Sequence, residues 1–269
     1  MTHATRPGIE LDDVTVSFTA PHGTVTAVQG VTERVPDASF VSIVGPSGCG
    51  KSTLLAVISG LQRATRGVVS VGGKQVDGPD PSIGVVFQED STLPWRDVLE
   101  NVRFAMQMTG VPKSEQTERA QQAIDLVGLS GFEKSYPSQL SGGMRQRVAL
   151  ARTLAMQPKV VLMDEPFAAL DQQTRLFLGA EVRRIWEATK QTIVFVTHDI
   201  SEAILLSQQV WVMSYRPGRI IDVVDVDLPG ERDASVVSTS RFNELHNRIW
   251  ESLQAESMRG FQQQEAAKK

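Results

Sequence analysis

Gly45-Pro46-Ser47-Gly48-Cys49-Gly50-Lys51-Ser52-Thr53 decides the reading of this chain. The stretch fits G-x-x-x-x-G-K-[ST], a pattern expected by chance in a chain of this length on the order of 1% of the time. Before it, Phe40–Val44 is a short apolar run and predicts a buried strand. After it, Leu54 to Ile58 begins a helical pattern. Strand, glycine loop, helix is the order a phosphate cradle needs. Glycines let backbone N–H groups approach oxygen atoms with no side chain in the way. The following helix adds unpaired N–H groups and a partial positive charge. Lys51 offers a full charge to β and γ phosphates, and Ser52 a hydroxyl to Mg²⁺. Cys49 sits inside this loop; a helix N-terminus can activate a thiol, but a small residue tolerated at a variable position is the reading favoured here.

Outward from the loop, strands and helices alternate. Ile9, Leu11, Val14, Val16 and Phe18 give period-two strands before a turn at Pro21-His22-Gly23. Val68–Val71 and Ile83–Phe87 predict two more strands around the turn-rich segment Gly72–Pro81. From about 92 to 157 the pattern is helical. Asp97 caps a helix carrying Val98, Val102 and Met106; Ser114 opens a second ending at Gly128; Ser141 opens a third that stops before Pro158. Strands return at Val160–Met163, Ile193–Val196 and Val210–Met213, with helices near 172–189 and 200–207 between them. That alternation predicts a parallel sheet with crossover helices. A strand over about 219–227 and an amphipathic helix over Phe242–Leu253 follow, and 262–269 reads as a frayed tail.

Composition narrows the classes. The chain has 269 residues, 41% hydrophobic and 22% charged, with a net charge of −4. This is ordinary globular composition. A mildly acidic chain gives no electrostatic reason to expect nucleic-acid binding. One cysteine forms no internal disulfide, as in a reducing compartment. No apolar run approaches the ~20 residues of a spanning helix, and the first thirteen residues carry no secretion-signal pattern. A cytosolic protein held to a membrane by a partner is the expected location.

Two more motifs carry chemistry. Val160-Val161-Leu162-Met163-Asp164-Glu165 is a buried strand ending in two acids. Beside a phosphate loop, Asp164 suits Mg²⁺ and Glu165 suits a base or water-positioner. Leu140-Ser141-Gly142-Gly143-Met144-Arg145-Gln146-Arg147 places two glycines just after a good N-cap. They cost helix stability, so backbone approaching an anion explains them better.

This last stretch resembles the signature motif of ATP-binding-cassette (ABC) ATPases. The rest follows the family's order. Gln88 resembles the Q-loop glutamine, Ala168-Ala169-Leu170-Asp171 the D-loop, and His198 the switch histidine. Phe18 stands where the family usually stacks an aromatic on adenine; it also fits as a core residue completing its strand. Met144 departs from the importer branch, which more often has Gln there. The resemblance implies an α/β P-loop NTPase (ABC ATPase) fold with an N-terminal antiparallel β subdomain and an inserted all-α subdomain. It implies a single ATPase domain over 1–230, the helical subdomain about 92–157, and a short C-terminal helical extension over 231–269. ATP and Mg²⁺ are the implied cofactors. The implied catalytic set is Glu165, His198 and Gln88. Ser52, Gln88 and Asp164 would hold the metal. Phe18, the loop from Gly45 to Thr53, Ser141, Gly142, Gly143 and Asp171 would hold the nucleotide.

The resemblance also implies a head-to-tail homodimer. Ser141, Gly142 and Gly143 of one chain would close over ATP held by Lys51 of the other. Leu93-Pro94-Trp95-Arg96 followed by Val98-Leu99-Glu100-Asn101-Val102 resembles the nitrate/sulfonate/taurine importer branch, as do Phe167–Asp171 and Tyr215-Arg216-Pro217-Gly218-Arg219-Ile220. In that branch the segment Gln88–Asp97 would receive a transmembrane permease subunit, with a substrate-binding protein acting outside the membrane. Trp95 is then a partner contact or a half-buried packing residue, and Arg96 and Asp97 could form a plain solvated turn. The expected role is an importer ATPase at the cytoplasmic face of the membrane, for a small anion or organic acid such as nitrate, taurine or an aliphatic sulfonate. The alternative is a soluble ABC ATPase acting on nucleic acid or ribosomes; its chromosome members insert coiled coils between loop and signature, and Lys51 and Ser141 lie too close for that. About 50 residues after Gly218 leave little room for an appended regulatory β domain, so none is expected.

Overall fold

A computed structural model describes residues 7–20, 23–89, 91–168, 170–229, 232 and 234–267. Pro21 and His22 of the first expected turn, Asp90 of the Gln88–Asp97 segment and Ala169 of the D-loop-like stretch lie outside the described residues. The chain divides into two compact units, 1–80 with 192–269, and 81–191.

In the first unit, β1 (Pro7–Ala20) pairs antiparallel with β2 (Gly23–Pro36) and β4 (Arg66–Val71), and β5 (Lys74–Gln75) closes the sheet edge on β4. Ile9, Leu11, Val14 and Val16 are buried, so the alternation sets one face inward. Phe18 breaks the alternation and is 43% exposed, so it is not a core residue. β5 lies within the Gly72–Pro81 segment that reads as loop; two residues are too few to show a period.

The second layer of this unit is parallel. β3 (Phe40–Val44) lies between β8 (Thr192–Val196) and β9 (Gln209–Met213), parallel to both. All five residues of β3 and of β8 are buried, which is why they read as unbroken apolar runs. β10 (Ile220–Asp225) adds antiparallel to β9. Helix α1 (Lys51–Ile58) follows the glycine loop, and α6 (Ile200–Leu206) leads from β8 to β9.

Helix α7 (Ser240–Ala267) runs well beyond the expected Phe242–Leu253 and takes in 262–267 of the expected frayed tail; Lys268 and Lys269 lie outside the described residues. Phe242, Leu245 and Ile249 enter a core with Val44, Ile204, Val212 and Val224, and Leu253 packs against its edge. The buried stripe then continues at Glu256 and Gly260. A carboxylate and a glycine carry no hydrophobic signal, so the apolar pattern stops a few turns before the helix does.

In the second unit, β6 (Ile83–Val86) and β7 (Val160–Asp164) pair in parallel. Between them lie α2 (Val98–Met108), α3 (Lys113–Leu126) and α4 (Gly142–Ala155); α5 (Gln172–Thr189) follows β7. Among the described residues, 92–157 holds no strand. The Asp97 carboxylate accepts from the Glu100 N–H at 2.8 Å, which starts α2 where expected. Helix α3 starts at Lys113 on Pro112, one residue before the expected Ser114. Its apolar face, Ala120, Ala123 and Ile124, is buried, with Val127 just beyond, and Gly128 follows with φ +68°.

Candidate functional site

The first unit carries the phosphate loop. β3 delivers the chain to Gly45, and α1 takes it up at Lys51. Gly48 and Gly50 have φ of +72° and +115°. At Gly50 a Cβ would also lie 2.8 Å from the Ala27 carbonyl oxygen, so only glycine fits. Gly50 occupies the N-cap of α1 and supplies no side-chain acceptor, leaving first-turn N–H groups uncapped by a side chain. Ser47, Gly48 and Ser52 are exposed, and Pro46, Gly50 and Thr53 are half-buried.

Lys51 is buried and folds back across its own loop. Its Nζ donates to the Gly45 carbonyl at 2.9 Å and the Pro46 carbonyl at 3.3 Å. A cation held at the loop mouth beside bare glycine backbone fits a polyphosphate. Cys49 is fully buried, with burial pushing its thiol up from the ordinary value, mainly against the lowering effect of Lys51. A buried thiol held protonated is unsuited to redox chemistry and serves as a packing group.

His198 follows β8 and is exposed. Its turn is pinned on both sides. Asp199 N–H donates to Thr197 Oγ1 at 3.0 Å, Thr197 Oγ1 bonds Glu202, and Asp199 caps α6 through the Glu202 N–H at 3.1 Å. With Gly45, Pro46 and Ser47, His198 lines one cleft of about 580 Å³. The structure therefore brings His198 and the phosphate loop to one place. Trp250, Leu253 and Met258 of α7 line the same cleft. Sequence reasoning did not assign them there; nothing in a helix sequence says which loop it will face. Phe18 stands in the same unit near the end of β1, paired with Val25, with its ring open to solvent.

The second unit carries the remaining candidates. Asp164 ends β7 and, with Glu165, is half-buried after four buried residues. Glu165 has φ +42°, a left-handed conformation costing a non-glycine residue roughly 1–2 kcal/mol. The turn that holds it is closed by Ala168 N–H on the Glu165 carbonyl, 3.1 Å, with Phe167 buried beside it. Gln88 is exposed just after β6. The Phe87 carbonyl before it accepts from Gln146 Nε2 of α4 at 3.3 Å, and Arg152 of α4 donates to the Ser91 carbonyl at 2.8 Å after it. Sequence reasoning gave Gln146 and Arg152 no such role.

Ser141 caps α4, its hydroxyl accepting from Met144 N–H at 3.3 Å. The two glycines after it differ. Gly142 is exposed, and a Cβ there would meet only Arg145 Nη2 at 3.8 Å. Gly143 is buried, and a Cβ there would lie 3.2 Å from Thr174 Cγ2 of α5. At Gly143, close packing against α5 is thus a second reason for a glycine, beside the backbone approach to an anion that the sequence suggests for both. Asp171 caps α5, accepting from Thr174 N–H at 3.0 Å and Thr174 Oγ1 at 2.7 Å. Those bonds, the backbone one first, hold its carboxyl below the usual range.

A family model described as ABC transporter matches residues 16–168. The chain belongs to the ABC transporter family. It is the family's ATP-binding and ATP-hydrolysing component. An uncharacterized ABC transporter ATP-binding protein of Methanocaldococcus jannaschii is 46% identical over 93% of each chain. The nitrate import ATP-binding protein NrtD of Synechocystis is 43% identical over 84% of this chain and 85% of its own length. The taurine import ATP-binding protein TauB of Burkholderia pseudomallei is 42% identical over 91% and 96%. Among solved structures, a dimeric bacterial ABC transporter cassette superposes with a TM-score of 0.71 at 30% identity, over 82% of this chain and all of that one. The same cassette has also been solved as a dimer with ADP and Pi. The expected α/β ABC ATPase fold is therefore the observed one.

Proposed function

We propose that this ABC ATPase energises a membrane importer for a small anion or organic acid, of the nitrate, taurine or aliphatic-sulfonate kind. The observation that carries the partner reading is Trp95, which is 70% exposed on a rigid turn. Asn101 is fully buried beneath that turn. It accepts from Leu93 N–H at 2.7 Å and donates to the carbonyls of Leu93, Arg96 and Asp97 at 3.1, 2.8 and 3.0 Å. The Arg96 guanidinium lies 4.8 Å from the Phe104 ring centre, and Asp97 is a buried helix cap. So Arg96 and Asp97 are structural, and Trp95 is not half-buried packing. A large aromatic held out on a preordered turn suits a partner anchor, because little entropy is lost when it docks. No described helix is long and apolar enough to cross a membrane, so the partner would be a permease that does. The similarity to NrtD and TauB supports import and this class of cargo, and does not favour a soluble nucleic-acid or ribosome ATPase.

In this reading two copies stack head to tail. Lys51 and the loop from Gly45 to Thr53 bind the phosphates, and Phe18 offers its ring to the adenine. Ser141, Gly142 and Gly143 of the second copy close over the γ-phosphate, with Asp171 ordering the adjacent turn. Ser52, Gln88 and Asp164 would hold Mg²⁺; hydroxyl, amide and carboxylate oxygens are the hard donors that ion prefers. Bound there, the ion would neutralise phosphate charge. Glu165 positions and deprotonates the attacking water, and His198 contacts the γ-phosphate. ATP drives closure because its γ-phosphate touches both chains and ADP has none.

The test is affinity capture of tagged chain from its own membranes in mild detergent. A multi-spanning permease is expected with wild type. Trp95→Ala should weaken its capture by about 30-fold or more, the cost of losing a hot-spot aromatic, with ATPase activity of the isolated chain unchanged. Capture of ribosomes or DNA, or equal permease capture by Trp95→Ala, refutes it.

A further inference from the structure

Segment Ser214–Arg219 touches both the phosphate loop and α7, and the ATP chemistry above uses none of it. Arg216 Nε donates to the Gly48 carbonyl at 2.6 Å, and its Nη2 lies 3.2 Å from where a Gly48 Cβ would be. A peptide unit is planar and trans. Holding the Gly48 carbonyl therefore fixes the Cys49 N–H on the opposite side, where it donates to the Pro46 carbonyl at 3.2 Å inside the loop. Gly48, at φ +72°, would otherwise be free to turn that peptide over.

Arg216 is itself held at two ends. On one side, Gly218 N–H donates to the Ala27 carbonyl at 2.8 Å, Gln29 N–H to the Gly218 carbonyl at 2.9 Å, and Arg219 Nη2 to Gln29 Oε1 at 2.6 Å. On the other, Tyr215 N–H donates to Glu256 Oε2 of α7 at 2.9 Å. Glu256 is buried at 7% exposure, and its other oxygen takes Arg259 Nη1 at 2.7 Å. The Tyr215 ring lies on Gly260, where a Cβ would be 2.7 Å from the ring. A buried carboxylate with one oxygen on the Tyr215 N–H, and a bare helix turn beneath its ring, are specific fittings between α7 and residue 215.

We propose that Arg216 is a positioning residue for ATP, setting the Gly48–Cys49 peptide plane, and that α7 sets Arg216 through Glu256 and Tyr215. The C-terminal helix is thus joined to the phosphate loop, and a displacement of α7 loosens the nucleotide. This rests on the loop binding ATP and is independent of any transport role.

The test compares Arg216→Met, Arg216→Lys, Glu256→Ala and the Arg216→Met/Glu256→Ala double variant in the purified full chain. Affinity is read with a fluorescent ATP analogue, alongside KM, kcat and Tm. Arg216→Met should raise Kd and KM about tenfold with kcat within twofold, and Arg216→Lys should restore both to within threefold. Glu256→Ala should raise KM about threefold, and the double variant should be no worse than Arg216→Met, as links in series require. An unchanged KM in Arg216→Met, a loss confined to kcat, or a double variant whose shifts multiply overturns the proposal. If Arg216→Met does not fold, Arg216→Gln and Glu256→Ala carry the same reading: a KM shift at constant kcat supports it, an unchanged KM overturns it. Failure of the wild type to bind the analogue would instead indict the ATP site.

Discussion

Replacing Gly142 with alanine should make the protein more stable and a worse enzyme. Gly142 is the first residue of α4, is exposed, and has no positive φ. A methyl group there meets nothing closer than Arg145 Nη2 at 3.8 Å, an ordinary contact with a flexible side chain. The folded state therefore loses nothing. The unfolded chain loses glycine's extra freedom, worth roughly 0.5–1 kcal/mol in favour of folding. For a chain of this size that corresponds to a rise in Tm of about 1–4 °C. Gly143 is the contrast. Its Cβ would lie 3.2 Å from Thr174 Cγ2, so Gly143→Ala must push α5 and should lower Tm.

If the Gly142 backbone closes on the γ-phosphate held by the other chain, the new methyl stands in that approach. ATP turnover in Gly142→Ala should then fall by about tenfold or more, roughly 1.4 kcal/mol or more of lost transition-state stabilisation. Binding of ATP to the isolated chain, which uses the Gly45–Thr53 loop, should stay as in wild type. Scanning calorimetry, equilibrium ATP binding and steady-state hydrolysis on the same preparation separate the three effects. A variant that melts higher and still hydrolyses ATP at the wild-type rate would falsify the closing role of Gly142. A lower Tm would show that the packing argument is wrong instead.

Glu165→Gln should bind ATP normally, lose turnover by about 100-fold or more, and elute as a dimer with ATP on size exclusion; wild-type turnover would remove Glu165 from the chemistry. Phe18→Ala should raise KM for ATP severalfold, the worth of one stacked ring, and Phe18→Trp should restore it; an unchanged KM would leave Phe18 without a role. Asp171 has a depressed carboxyl, so its contribution to stability is complete above the unfolded value near 4 and fades as pH falls through the lower folded value. Asp171→Ala should accordingly lower Tm at pH 7, with the gap to wild type narrowing below about pH 4; a gap constant with pH would mean that its charge is irrelevant to the cap.

What the residues reveal in advance, and what they hide, follows from how local each cause is. The phosphate loop was legible because each need is met within a few positions: a buried run, glycines at strained φ, a lysine, a helix. The caps at Asp97 and Ser141 were legible for the same reason, since cap and capped N–H are three residues apart; the cap at Asp171 has the same spacing and was not read. The core alternative for Phe18 fails because alternation continues in sequence after burial ends in space. The full length of α7 was hidden because its last buried positions are Glu256 and Gly260, whose partners at Tyr215 lie some forty residues back in the chain. Arg216 shows the same limit at the site itself. Its motif stood out, yet its work is done on Gly48, a residue 168 positions away. Sequence identifies groups whose chemistry is set by neighbours in the chain. Groups that act by holding another group in place, as Asn101 holds the Trp95 turn and Arg216 holds Gly48, become visible only when the fold supplies the thing held.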